Sequence, residues 1–212
     1  LLQRELSKME ISGYQLSAGQ ETRREMRGTK LNVTLDGGPR LSPKALSDLV
    51  SGSGLSAGQK QRAAKVLESL WTAESRVHGE ARESLELEEL GTVDTLVDVV
   101  GVAIGLEYFG VEKIFASPLV LGAAEPPRWP GGYPNPAPAT LELTAMASAK
   151  VSADNPMYQG AGELTTPTGA ALITSLAEFE RPSFTVSAVG VGLDLRPSPG
   201  ILLSVNVENN DV

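Results

Sequence analysis

Carboxylates make up most of the residues in this chain that could do chemistry. Glu86, Glu88 and Glu89 stand just before a long apolar stretch, and Asp94 and Asp98 stand inside it. Together they could form a set of oxygen donors for a metal ion. If the segment Glu86 to Glu89 is extended, Glu86 and Glu88 share one face and Glu89 points the other way. The alternative is a solvated acidic segment ahead of a helix whose N-terminus favours negative charge. Asp94, Asp98, Gly101 and Gly105 follow helical spacing and so lie along one face of an otherwise apolar helix. A carboxylate in a buried helix is costly unless it is paired or metal-bound. The competing reading is a structural ion pair with an arginine such as Arg40, the glycines allowing close helix packing.

A second group lies at Thr165-Thr166-Pro167-Thr168-Gly169. It reads as a helix start with Thr166 as cap and Pro167 at the first position. Free amides there could hold a phosphate, with Thr165, Thr166, Thr168 and Gly169 around it. An ordinary capped helix explains the same residues, and Asn135-Pro136 carries the same two readings. His78 is the one histidine, and beside Gly79 at a helix end it reads as a C-terminal cap rather than a ligand. With no cysteine, thiolate sites and cysteine nucleophiles are excluded. There is no Gly-x-x-x-x-Gly-Lys loop and no Gly-x-Ser-x-Gly elbow, and a serine triad could draw only on His78. No catalytic residue stands out.

The elements that must position these groups can be read from periodicity. Leu1 to Met9 has helical spacing, and Tyr14 to Leu35 reads as two strands about a polar turn. Ser42-Pro43 opens a short helix that Gly52 to Gly54 closes. Ser56 to Val77 is a long helix with Ala63, Val66, Leu67, Leu70 and Trp71 as its apolar stripe. Val93 to Phe109 is a second helix, apolar nearly all round and therefore central. Lys113 to Leu121 reads as a strand, the proline-dense Ala123 to Pro138 as a stiff surface loop, and Ala139 to Ala147 as a helix. The helix from Thr166 runs to about Phe179, and Phe184 to Leu195 and Ile201 to Val207 read as strands. The mixture predicts an α/β or α+β fold, a mixed sheet layered with helices in a single compact domain.

The totals narrow the partners. A net charge of −8 over 212 residues opposes a nucleic-acid groove, which needs a basic stripe. No stretch reads as a membrane span, and Leu1 to Met9 lacks a signal peptide's apolar core. A cytoplasmic setting fits these features.

Three stretches, in this order, carry a family resemblance. The first is Glu89-Leu90-Gly91-Thr92-Val93-Asp94-Thr95-Leu96-Val97-Asp98-Val99-Val100-Gly101, followed by Leu106-Glu107-Tyr108-Phe109-Gly110-Val111 and Ala116-Ser117-Pro118-Leu119. The second is Pro136-Ala137-Pro138-Ala139-Thr140-Leu141-Glu142-Leu143. The third is Glu163-Leu164-Thr165-Thr166-Pro167-Thr168-Gly169-Ala170-Ala171-Leu172. Gly28-Thr29 and Val77-His78-Gly79 are weaker echoes. With these motifs the chain resembles the nickel-insertion proteins, which put nickel into the pyridinium bisthiocarboxylate mononucleotide, the pincer cofactor of lactate racemase.

The resemblance implies that residues 1–212 correspond to the family's first domain. The family's opening strand and Ser-Gly-Asp turn would precede Leu1, and its second domain, with the CTP-binding role, is not matched. It also implies nickel as the metal, Asp94 and Asp98 as retained family positions, and a substrate phosphate for Thr165 to Gly169. The departures matter as much. Where the family has His-x-His-Glu this chain has Glu86, Leu87, Glu88 and Glu89. The histidines expected near Arg40 and Gly131-Gly132 are also missing. Imidazole suits nickel, whereas glutamates make a harder oxygen site better matched to Mn²⁺ or Mg²⁺. Two expectations follow. One is an active nickel chelatase of the lyase class, working with a partner chain that supplies the second domain. The other is a catalytically inactive member serving as an accessory subunit of a larger complex. The family precedent and the proline-rich loop both point to an oligomer.

Overall fold

The computed structural model describes residues 1–23, 25–37, 40–87, 90–122, 135–152, 163–193 and 201–208. The chain divides into two compact units, one of Leu1–Gly13 with Gly37–Glu180 and one of Tyr14–Asp36 with Arg181–Val212.

The first unit is built on helices: α1 (Leu2–Leu6), α2 (Pro43–Gly52), α3 (Ala57–His78), α4 (Val93–Tyr108), α5 (Pro138–Met146) and α6 (Pro167–Leu176). Helix α3 is its axis, packing against α2, α4, α5 and α6. The stripe expected from sequence is the one that is buried: Ala63, Val66, Leu67, Leu70 and Trp71 are all at most 2% exposed. Leu96, Val100 and Ile104 of α4, Leu143 of α5 and Ala170 of α6 are buried with them. Each large aliphatic side chain so buried contributes about 1.5–3 kcal/mol.

Both ends of α3 are specified locally. Ser56 accepts from the Gln59 amide while the Gln59 side chain accepts from the Ser56 amide, a reciprocal cap at 3.1 Å each way. At the other end Gly79 adopts a left-handed φ of 69° and its amide reaches the Ser75 carbonyl. Gly79 is therefore the cap, and His78 sits inside the last turn.

Two expectations shift at the ends of elements. Lys113 to Leu121 does not form one strand. Only β3 (Leu119–Val120) is regular, paired in parallel with β4 (Val151–Ser152). Pro118 has no amide to give a ladder, and the segment changes partner across it. The Ala116 amide reaches the Glu178 carbonyl at 2.9 Å, whereas the Leu119 amide reaches Lys150 at 2.8 Å. Helix α6 correspondingly stops at Leu176, short of Phe179, because the Glu178 amide is taken by the Ile114 carbonyl at 2.8 Å.

The second unit is a four-stranded sheet in the order β1 (Tyr14–Arg23), β2 (Met26–Leu35), β5 (Thr185–Leu193), β6 (Ile201–Glu208). The outer pairs are antiparallel and the central β2–β5 pair is parallel, so the sheet is mixed. At that parallel join Gly28 is required by close approach. A Cβ there would stand 2.9 Å from the Val191 carbonyl oxygen and from the Leu193 side chain. Helices and a mixed sheet together give the expected α/β class. Among the described residues no helix is long and apolar enough to cross a membrane.

Candidate metal centre

Helix α4 begins at Val93, so Asp94 falls in its first turn and Asp98 one turn further on. Thr95, Leu96, Val97, Val99 and Val100 between and beside them are buried, which fixes the helix and leaves the two aspartates on its less covered side. Burial pushes the Asp94 carboxyl above its ordinary value. Burial, reinforced by the Asp94 charge, raises Asp98 to about 6. Among the described residues neither accepts a hydrogen bond or an ion pair, so the Asp98–Arg40 pairing is not formed. Like charges at this spacing repel on a helix surface. The protein thus carries two adjacent carboxylates in a partly desolvated position, with no cationic side chain paired to them among the described residues.

The approach to this helix is held by Gly91. A Cβ there would lie 2.5 Å from the Leu87 carbonyl oxygen and 3.1 Å from that of Leu41, and the Leu41 amide donates to the Gly91 carbonyl at 2.8 Å. Only a residue without a side chain lets three backbone segments meet so closely. Leu85 and Leu87 are buried and Glu86 between them is exposed, the alternation expected of an extended segment. Glu88 and Glu89 lie outside the described residues. Among the described residues no three histidine, aspartate or glutamate side chains gather closely enough to hold a metal ion. Of the three expected metal ligands among the described residues, the structure brings Asp94 and Asp98 together on one helix and leaves Glu86 exposed on the preceding segment.

At the start of α6 most of the expected phosphate donors are already engaged. Thr166 is the cap, accepting from the Gly169 amide at 3.1 Å, and Pro167 has no amide. Thr165 donates its hydroxyl to the Val120 carbonyl at 2.7 Å, and the Thr140 hydroxyl donates to the Thr165 carbonyl at 3.3 Å. This draws the starts of α5 and α6 together. Of the four residues, Thr168 is the one whose hydroxyl makes no hydrogen bond among the described residues.

One pairing escaped the reading from sequence. The His78 imidazole does not cap α3; its Nε2 stands 3.4 Å from Oε2 of Glu74, one turn earlier. The signal was present as i, i+4 spacing, but Glu74 lies in a helix whose polar residues read as a solvated face.

Comparison with other proteins shows the family to which the chain belongs. A family model described as nickel insertion protein matches residues 1–207. The chain belongs to the nickel insertion protein family. It is 37% identical over 196 residues to a protein of Roseiflexus castenholzii, covering 92% of this chain and 49% of that one. It is 40% identical over 200 residues to one of Thermomicrobium roseum, covering 94% and 48% respectively. A protein of Syntrophobacter fumaroxidans is 36% identical over 211 residues, 98% of this chain and 53% of its own. All three bear provisional names as nickel insertion proteins. The chain spans about half the length of these curated relatives. No solved structure matches it. In this member of the family, then, the described carboxylate pair is oxygen-only, while the single imidazole lies on a different helix.

Proposed function

We propose that this chain is the first domain of a nickel chelatase, and that Asp94 and Asp98 receive the ion delivered to the pyridinium bisthiocarboxylate mononucleotide. Nickel is the cargo here, not a resident cofactor. The observation that carries the reading is that the two carboxylates, on a well-packed helix, have no hydrogen-bond or ion-pair partner among the described residues. Such a pair is retained against its electrostatic cost when a cation completes it. Glu86, Glu88 and Glu89 belong to the same proposal as further donors arriving from the segment that Gly91 presses against Leu41. Oxygen donors also admit Mn²⁺ or Mg²⁺, which compete with nickel at such a site. Thr168 at the start of α6 is the remaining contact for the substrate's phosphate. The half of the relatives' length that this chain does not span would bring the CTP-binding role, either in the same polypeptide or in a partner chain.

The test is equilibrium binding of Ni²⁺, Mn²⁺ and Mg²⁺ to the metal-stripped chain, repeated with Asp98→Asn and Asp94→Asn. Loss of the binding contributed by the α4 carboxylates in both variants is the expected result. Binding unchanged in both would remove α4 from the reaction. A second reading, an accessory subunit without catalysis, is favoured by the absence of a three-donor group among the described residues. It predicts no binding above the background that surface charge gives.

A further inference from the structure

Glu74 and His78 present a donor pair that neither the fold nor the carboxylate site requires. Glu74 lies in the penultimate turn of α3, and its side chain is 7% exposed. His78, one turn later, is 50% exposed. A carboxylate buried to that degree ordinarily accepts several hydrogen bonds. Glu74 has the imidazole as its one partner among the described residues, and the 3.4 Å between Nε2 and Oε2 is long for a hydrogen bond.

The same distance is right for another arrangement. Two donors about 2.0–2.2 Å from one ion, at tetrahedral or octahedral angles, stand about 3.0–3.4 Å apart. Glu74 and His78 therefore stand at the separation of two donors on one edge of a metal's coordination shell. The buried carboxylate supplies charge from below, and the half-exposed imidazole leaves the outer positions open to water or an incoming sulfur or oxygen ligand. Imidazole with one carboxylate selects a borderline transition ion over Mg²⁺.

We propose that Glu74 and His78 form a second metal site on α3, a two-donor surface site for Ni²⁺ or another borderline divalent ion. Two protein donors hold such an ion weakly, as suits a site that takes an ion from solution and releases it. The site goes beyond the α4 carboxylates and does not depend on them, since it lies on another helix and uses the chain's one imidazole.

Because the chain has one histidine, imidazole ¹H–¹⁵N spectra of the full 212-residue chain contain one side-chain signal set. Paramagnetic Ni²⁺ is expected to broaden it, diamagnetic Zn²⁺ to shift Nε2, and excess Mg²⁺ to do neither. Glu74→Gln, which keeps the volume, should weaken nickel binding at His78 by at least about ten-fold. Asp98→Asn should leave it unchanged, so failure of the α4 reading and failure of this one are separable. His78→Gln touches only a half-exposed side chain and keeps the fold. In an Asp98→Asn background it should abolish the remaining calorimetric nickel binding. No broadening, broadening equal in wild type and Glu74→Gln, or displacement by Mg²⁺ would each overturn the site.

Discussion

Replacing Asp98 by asparagine should make the metal-free protein more stable and at the same time unable to bind an ion at α4. The Asp98 carboxyl titrates at about 6 in the folded chain against an ordinary 3.8. That difference corresponds to about 3 kcal/mol against the charged form. Asp98 is exposed to solvent, so water and salt screen much of this, and about 1 kcal/mol is the expected remainder. Between those two pH values the folded chain binds more protons at this group than the unfolded chain does. Stability contributed by the neutral form is thus full below about pH 4 and lost as pH rises through about 6. Asparagine resembles the neutral form at every pH. Asp98→Asn should therefore gain about 1 kcal/mol at pH 7.5, raising Tm by about 2–4 °C, and gain almost nothing at pH 4. Asp94→Asn should recover part of the same gain, because the Asp94 charge is the second cause of the shift. Urea titrations at the two pH values read the effect, and saturating Ni²⁺ should offset it at pH 7.5 by stabilising the wild type more than the variant. A loss of stability at pH 7.5, or a gain equal at both pH values, would refute the reasoning, since either means that Asp98 is not an unpaired, desolvated carboxylate.

Three further substitutions probe the surrounding architecture. Gly91→Ala puts a methyl against the Leu87 and Leu41 carbonyl oxygens, and should cost about 1–3 kcal/mol by chemical denaturation while weakening metal binding at α4. Gly28→Ala meets the Val191 carbonyl oxygen at 2.9 Å and should cost a similar amount, with faster amide exchange in β2 and β5 and metal affinity at α4 intact. Thr166→Ala removes the cap on the Gly169 amide and should lower stability by about 1 kcal/mol in thermal denaturation, leaving metal affinity unchanged.

What could be read from sequence depended on how local its cause was. Helix α3 was legible because its apolar stripe repeats with helical period and α4 because it is apolar nearly all round, and the caps Ser42, Ser56 and Thr166 were read at or beside their actual positions. The Lys113 to Leu121 strand was overread, because its apolar residues fit a ladder while the partners on either side of Pro118 lie far apart in sequence. Asp94 and Asp98 were legible as a pair from their spacing alone. That no cationic side chain among the described residues pairs with them was not, since an arginine such as Arg40 could have met them. For His78 the helix end was recognised but the occupant of the cap was mistaken. Gly79 takes the left-handed position, which frees the imidazole for Glu74.

The carboxylate pair also needs a support that sequence pattern does not display, and the two ends of α4 show how it arises. At its start, the Leu41–Gly91 contact fixes the entry of the chain. At its last turn, Glu107 lies where its own helix dipole disfavours a negative charge. It is offset by the start of α3. The Ser56 hydroxyl donates to Oε2 of Glu107 at 2.6 Å and the Gln59 amide group to Oε1 at 3.0 Å. Gly58 leaves the space, since a Cβ there would stand 2.8 Å from Oε2. The acid that is misplaced on α4 thus extends the cap of α3 and ties the two central helices together. Charge-assisted bonds of this kind contribute about 1.5–3 kcal/mol when sheltered and less at an exposed position such as this. With both ends pinned and Leu96, Val100 and Ile104 buried, α4 has little freedom to turn Asp94 and Asp98 away from each other. Their mutual repulsion is then relieved by protonation or by a bound cation. In the proposed nickel reading, that constraint is what makes the helix a receptor for an ion.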